Sequence, residues 1–194
     1  ESAVTVTGYT VDDDSTQKTI TTTDTDDVLT FYYKPDQRSY TKTFYDVTDS
    51  SNVVLIPEED KAGYTVDDLW YGETVSVTQD MINGYTYSGS DHTSLEYNGI
   101  TNEETFRLNY VRNIVPLNIY YQFEDGSKAH DPYSDTETKR YRDTYSQASP
   151  DIAGYTPDQP IVSGTLGVGG ANIYVTYTPA KYTITFNTNG GNEI

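Results

Sequence analysis

The sequence predicts a mainly β protein made of repeated tandem modules with little helix. Three observations carry that expectation. Aromatic residues are dense, with 20 Tyr, 5 Phe and 1 Trp in 194 residues. Apolar and polar residues alternate with period two along short runs, as in half-buried strands. A short string also recurs at intervals the size of a small domain.

The apolar share is only 35%. That value alone points toward disorder, but disordered chains are poor in aromatic and β-branched residues, and this chain is not. Tyrosine suits a thin module, because it buries its ring and leaves its hydroxyl in water.

The recurring string is Val6-Thr7-Gly8-Tyr9-Thr10, which returns as Ile82-Asn83-Gly84-Tyr85-Thr86 and as Ile152-Ala153-Gly154-Tyr155-Thr156. A looser copy is Ala62-Gly63-Tyr64-Thr65. Each of the first three is followed by a polar stretch and then by an aromatic closing strand: Leu29 to Tyr33, Phe106 to Tyr110, and Ile173 to Tyr177. Leu29, Phe31 and Tyr33 share one face, as do Phe106, Leu108 and Tyr110. An opening strand begins the next unit at Thr41 to Tyr45, Leu117 to Phe123, and Tyr182 to Phe186. Turn residues follow at Asp49-Ser50-Ser51-Asn52, Glu124-Asp125-Gly126-Ser127 and Asn187 to Gly191.

A unit therefore reads as opening strand, hairpin turn, polar middle, Gly-Tyr-Thr strand and closing strand. On this reading 1–112 is an N-terminal β module, with 1–37 the closing half of a preceding repeat and 38–112 a full repeat. Residues 113–194 hold a second module at 113–180 and the opening strand of a following repeat at 181–194. The connector Asn113-Ile114-Val115 is too short for a floppy linker, which predicts modules arranged end to end. Pro35 and Pro179 mark places where the chain leaves the sheet. Helix is expected at Thr78 to Ile82, with Thr78 as N-cap and Gly84 as stop. Thr136 to Ser146 reads as helix, loop or strand.

Charge and composition exclude several functions. The net charge is −18, from 12 basic and 30 acidic residues, a field that repels phosphate backbones and anionic lipid. Without cysteine there are no disulfides, thiolate zinc sites or thiol nucleophiles. No apolar run reaches the 18 residues or so that a spanning helix needs. The chain opens in mid-pattern at Glu1-Ser2-Ala3-Val4 and reads as part of a longer protein.

Chemical motifs are weak. His92, in Ser90-Asp91-His92-Thr93-Ser94, has the residue types of a hydrolytic triad, but adjacent turn residues seldom aim at one point. It reads as a solvated loop, as does His130. The acidic clusters Asp12-Asp13-Asp14, Asp24 to Asp27 and Glu58-Glu59-Asp60 do not follow the calcium-loop pattern. Gly164 to Gly170 runs into a strand without a Lys, unlike a phosphate loop, and reads as a flexible connection. No enzyme and no cofactor are expected.

The units resemble the mucin-binding protein (MucBP) repeat of Gram-positive surface proteins. The resemblance rests on Asn118 to Gly126, on Ile152-Ala153-Gly154-Tyr155-Thr156, on Tyr174-Val175-Thr176-Tyr177, and on Glu73 to Val77 followed by Ile82 to Tyr87. It covers about 38–180, with a partial match at 1–37. Lys181 to Gly191 looks like the opening of an internalin-type B-repeat. The resemblance implies a β-grasp, ubiquitin-like fold with its helix in doubt at 130–150, and an extracellular, cell-wall-anchored, multi-repeat adhesin. It implies mucin or other host glycoproteins as partners, with immunoglobulin among those of larger relatives, and a chain monomeric within its array. The alternative is a stalk whose repeats only project a distant binding domain. In such proteins Lys–Asn isopeptide bonds also occur. Lys34, Lys42 and Lys181 lie in or beside strands, as do Asn109, Asn118 and Asn172, although edge lysines are ordinarily solvated.

If the chain binds glycan, Trp70 with Tyr71 is the first candidate. Sugars present C–H faces that stack on exposed rings, while carboxylates accept their hydroxyls. Trp70 sits in Asp67-Asp68-Leu69-Trp70-Tyr71-Gly72, so Asp67 and Asp68 are candidate acceptors. Tyr87 and Tyr97 are further candidates. The competing reading makes the lone Trp a core anchor.

Overall fold

The computed structural model describes residues 1–12, 28–185 and 189–191. It divides into two compact units, Glu1–Val111 and Arg112–Ile194.

The first unit carries β1 (Tyr9–Val11), β2 (Tyr33–Pro35), β3 (Gln37–Asp46), β4 (Val54–Leu55), a single helical turn α1 (Glu58–Lys61), β5 (Tyr64–Trp70), β6 (Val75–Ser76), β7 (Tyr85–Ser90), β8 (Glu96–Tyr97) and β9 (Glu104–Arg112). Its main sheet runs β4-β3-β9-β7, with β5 also on β3. β3 and β9 are parallel, from Tyr40↔Glu104 to Asp46↔Tyr110. Alternation places Tyr40, Phe44, Phe106, Leu108 and Tyr110 inward, where Val75, Val77 and Ile100 also lie buried.

The second unit carries β10 (Leu117–Phe123), β11 (Lys128–Asp135), β12 (Thr144–Ala148), β13 (Tyr155–Pro157), β14 (Ile161–Thr165) and β15 (Ala171–Pro179). Its sheet runs β11-β10-β15-β13, and β12 pairs β14 in a separate ribbon. β10 and β15 are parallel from Leu117↔Ala171 to Phe123↔Tyr177. Leu117, Ile119, Tyr121, Val175 and Tyr177 face a core closed by Val162 and Leu166 of the ribbon side. Both units thus share one plan: an opening strand with its antiparallel neighbour, a parallel closing strand at the centre, and the Gly-Tyr-Thr strand outside it. The mainly β fold class expected from the sequence holds.

The Gly-Tyr-Thr string has a local physical cause. Tyr9, Tyr85 and Tyr155 each donate their backbone N–H to the carbonyl three residues earlier, on Val6, Ile82 and Ile152, at 3.1, 3.1 and 3.0 Å. Gly8, Gly84 and Gly154 hold φ of 78°, 85° and 83°. The residue before each keeps negative φ, so each string is a type II turn that launches a strand, and glycine supplies the left-handed position.

A second tie recurs with it. The hydroxyls of Tyr33 and Tyr177 donate to the carbonyls of Val4 and Pro150, each at 2.6 Å, and that of Tyr110 donates to Asp80 at 2.7 Å. Each acceptor lies five residues before the string's tyrosine. Residues 1–12 with 28–37 therefore repeat the closing geometry of the two larger units, including Tyr9↔Pro35 beside Tyr155↔Pro179.

Several expectations require correction. Thr78 to Ile82 is not helical. The Asp80 N–H and carbonyl both engage the Tyr110 hydroxyl, at 3.1 and 2.7 Å, and buried Val77 and Ile82 hold the segment against the core. The helical turn is instead at Glu58–Lys61, after Pro57 and with acidic residues in its first turn. Thr136 to Ser146 is a loop that enters β12 at Thr144. Of the Leu29 to Tyr33 run only Tyr33 lies in a strand, and 181–185 joins no sheet. Pro35 and Pro179 are the last residues of β2 and β15, still paired. Gly167 to Gly170 closes a tight turn, and a Cβ on Gly170 would fall 2.0 Å from the Pro116 carbonyl oxygen.

Candidate functional site

Trp70 ends β5, and the shape of that strand explains its exposure. Arg38 pairs with Leu69 and Tyr40 with Val66, so Ser39 faces both Asp67 and Asp68, a bulge. Asp68 takes a φ of 64° there. The extra residue shifts the alternation, so Val66 and Leu69 both pack on the core although three positions apart. Trp70 turns outward and is 45% exposed.

It lines an open groove of 360 Å³ with Thr10, Lys34, Pro35, Asp36 and Gln37. Asp36 is held by the Thr10 hydroxyl at 2.6 Å and by Arg38 at 3.4 Å. The Trp70 backbone N–H is capped by Glu73 at 2.9 Å. The groove thus joins an exposed indole to a carboxylate, an amide and an ammonium.

The other candidates lie elsewhere. Asp67 and Asp68 are exposed in the bulge and do not line the groove. Tyr71 packs inward: its ring meets Tyr9 edge-on at 5.7 Å, lies under the Arg38 guanidinium at 5.4 Å, and occupies the space a side chain on Gly8 would need. Tyr87 packs edge-on against Tyr110 at 5.5 Å. Tyr97 packs against the core near Phe106 and donates its hydroxyl to Glu104 at 2.7 Å. The groove residues Lys34, Asp36 and Gln37 escape sequence reasoning because they come from 30 or more positions away, through the β3–β5 pairing.

His92 is not the solvated loop residue expected. Its ring lies over Phe106 at 4.3 Å and its Nδ1 meets Asp91 at 2.7 Å. Ser90 donates to Asp91, 3.3 Å away, so the three residue types meet without a serine aimed at the imidazole. His130 is exposed, with Nδ1 2.9 Å from the Asp131 carbonyl. Glu58, Glu59 and Asp60 form the first turn of α1. Among the described residues, no three His, Cys, Asp or Glu side chains converge to hold a metal. Asp13, Asp14 and Asp24 to Asp27 lie outside the described residues.

Lys42 departs most from expectation. Rather than a solvated edge charge, it is 2% exposed in a strand paired on both sides. Its ammonium donates to the Thr78 carbonyl at 2.6 Å and to Asp80 at 2.8 Å. Lys61 reaches the other Asp80 oxygen at 2.8 Å, and the Tyr64 hydroxyl donates to Asp80 at 3.1 Å. Burial alone pulls the Lys42 pKa down, but the Asp80 hydrogen bond and charge overrule it, and the net shift is upward. Burial pushes Asp80 up, and its two lysines hold it below the ordinary carboxylate value. Asn118 and Asn172, considered for isopeptide bonds, instead bond each other at 2.9 Å.

No family model and no curated protein matches the chain. Among solved structures, it is similar to the type 2 repeat of the mucus binding protein MUB from Lactobacillus reuteri, at 15% identity and TM-score 0.28, covering 74% of this chain and 100% of that one. It is also similar to Mub-RV, at 12% identity and TM-score 0.28, covering 74% and 99%. A third likeness is to Streptococcal High Identity Repeats in Tandem (SHIRT) domains 3-4 from a cell surface protein, at 14% identity and TM-score 0.33, covering 74% and 99%. At these superpositions the functional reading rests on the chain's own geometry.

Proposed function

We propose that the chain is a non-catalytic repeat segment of a bacterial cell-surface adhesin, and that it binds mucin-type glycans of host glycoproteins through the Trp70 groove. The observation that carries this is the single indole, 45% exposed beside Lys34, Asp36 and Gln37. An exposed indole in water is unfavourable by its apolar area and gains by stacking on the C–H face of a sugar, while the flanking groups exchange hydrogen bonds with hydroxyls. The internal repetition and the hairpin, parallel-centre strand order support the β-grasp-like surface repeat that the MucBP resemblance implies. The extracellular, wall-anchored setting follows from the same resemblance.

The test is Trp70→Ala on the whole chain. Because the ring is half in water, the melting temperature is expected to stay close to wild type, far from the roughly 3–5 kcal/mol loss of a core tryptophan. Retention on immobilised mucin is expected to fall about tenfold or more. A folded variant that retains mucin as wild type does would remove the groove and leave the stalk reading ahead.

A further inference from the structure

We infer that the second unit carries its own saccharide subsite, built on the stacked pair Tyr120 and Tyr174, and that its ligand class is an uncharged pyranose. This takes from the proposed function only the idea that the chain binds glycan, and rests on a different surface.

The pair is a product of register. β10 and β15 run parallel with Tyr120 opposite Tyr174, residues 54 positions apart in sequence. Their inward neighbours, Ile119, Tyr121 and Val175, fill the core, so both tyrosines stand on the outer face. The rings stack at 5.0 Å with 22° between planes, while remaining 36% and 58% exposed. On either side along the strands lie polar cross-strand pairs: Asn118 with Asn172 at 2.9 Å, and Gln122 with Thr176 at 3.5 Å. The pair forms a wall of an open groove of 310 Å³, lined also by Gln122, Lys128, His130 and Pro132. That volume suits a mono- or disaccharide.

The fold does not demand this pair. In the first unit the same register position holds Thr43 opposite Arg107, and the guanidinium covers Tyr45 at 4.3 Å. The same parallel centre thus forms with no aromatic ladder. Aromatic rings left half in water, flanked by amides, are the surface that sugar C–H faces and hydroxyls fit.

Charge decides the class of sugar. Lys128 is ion-paired with Asp131, and the His130 ring is turned to the Asp131 carbonyl. In a chain of net charge −18, a groove whose cation is already compensated disfavours a carboxylate or sulfate sugar.

The experiment is an NMR titration of the whole chain with methyl β-galactopyranoside and lactose, and with sialyllactose as the charged counterpart. Galactose carries its axial hydroxyl on one ring face and leaves a patch of C–H groups on the other, suited to stacking. Saturable shifts are expected at Gln122, Lys128 and His130 with the neutral sugars, and weaker ones with sialyllactose. Tyr174→Ala and Tyr120→Ala are expected to weaken binding about tenfold with the melting temperature held, and Tyr174→Phe to restore it. Trp70→Ala is expected to leave these shifts unchanged. Absence of saturable shifts, or full affinity in a folded Tyr174→Ala chain, overturns the subsite; equal or tighter binding of sialyllactose overturns its class. Mucin retention lost in Trp70→Ala with no shifts here would sink the subsite and leave the proposed function standing. Shifts lost in Tyr174→Ala, with mucin retention indifferent to Trp70, would do the reverse.

Discussion

At the scale of single residues, Lys42 and the closing tyrosines hold the first unit together. Lys42 occupies the position where the second unit has Ile119, since Lys42 pairs with Phe106 as Ile119 pairs with Ile173. An ammonium stands where the fold elsewhere takes a hydrocarbon, and Asp80, the Thr78 carbonyl and the Tyr64 ring, 5.2 Å from the ammonium, make that tolerable. Lys42→Ala is expected to cost about 3 kcal/mol, the low end for breaking a buried pair, because Lys61 and Tyr64 still attend Asp80. Lys42→Ile combined with Asp80→Asn, which places the Ile119 hydrocarbon in the strand and removes the carboxylate charge, should recover most of that loss in urea unfolding. The sign of the pH dependence follows from the two shifts. Asp80 is depressed, so its contribution is present above the ordinary value of 3.8 and is lost as pH falls through the lower folded value. Lys42 is raised, so its contribution is present below 10.5 and is lost as pH rises through the higher folded value. Stability from this cluster is therefore flat between those limits. Asp80→Asn should flatten part of the acid limb of a melting profile, and an unchanged slope would show that the pair contributes nothing there. The tyrosine tie has its own test. Burial pushes the Tyr110 phenol up to about 12 and Tyr177 upward, so both keep the proton they donate at ordinary pH. Tyr177→Phe should cost about 1–1.5 kcal/mol, and a neutral outcome would make the recurring bond incidental.

At the scale of elements, the type II turn before each Gly-Tyr-Thr strand is the repeated device. At Gly154 an added Cβ meets open space, so Gly154→Ala tests backbone conformation alone and should cost about 1–2 kcal/mol for the left-handed φ. Asn there should cost less. At Gly8 the same change puts Cβ 2.2 Å from the Tyr71 ring and should disturb the Tyr71 packing as well. Equal losses at the two sites, measured by thermal melts, would mean that Tyr71 yields freely. These elements also mark what was legible beforehand. The opening strands at Thr41 to Tyr45 and Leu117 to Phe123, the closing strands at Phe106 to Tyr110 and Ile173 to Tyr177, and the Gly-Tyr-Thr strands are readable because period-two alternation and glycine turns are local signals, whereas the same alternation at Leu29 to Tyr33 places only Tyr33 in a strand. The false helix at Thr78 to Ile82 arose because its cap and stop are local too, whereas the Tyr110 hydroxyl that claims the Asp80 backbone comes from 30 residues away. Lys42 was misread for a like reason: Thr-Lys-Thr looks solvated until Asp80 is placed beside it. Trp70 was singled out by its isolation in sequence, but its groove partners were not, and among 20 tyrosines only the β10–β15 register distinguishes Tyr120 and Tyr174.

At the scale of the whole molecule, charge is the dominant long-range term. Thirty acidic and 12 basic residues leave −18 on 194 positions, so compaction brings like charges together that an unfolded chain keeps apart. Opposing this are attractive pairs whose strength salt would erode, and among the described residues Lys42 with Asp80 is buried where ions do not reach. Exposed pairs such as Lys128 with Asp131 contribute little in any case. Repulsion should therefore win, and added salt should stabilise. Raising sodium chloride from about 10 mM to 150 mM shortens the screening length from about 30 Å to 8 Å, below the dimensions of either unit. If that relieves about 1 kcal/mol of repulsion, the melting temperature should rise by about 4–8 °C for units of this size. A fall in melting temperature over the same range would mean that surface ion pairs outweigh the net charge. A flat response would place the excess carboxylates far enough apart to ignore one another.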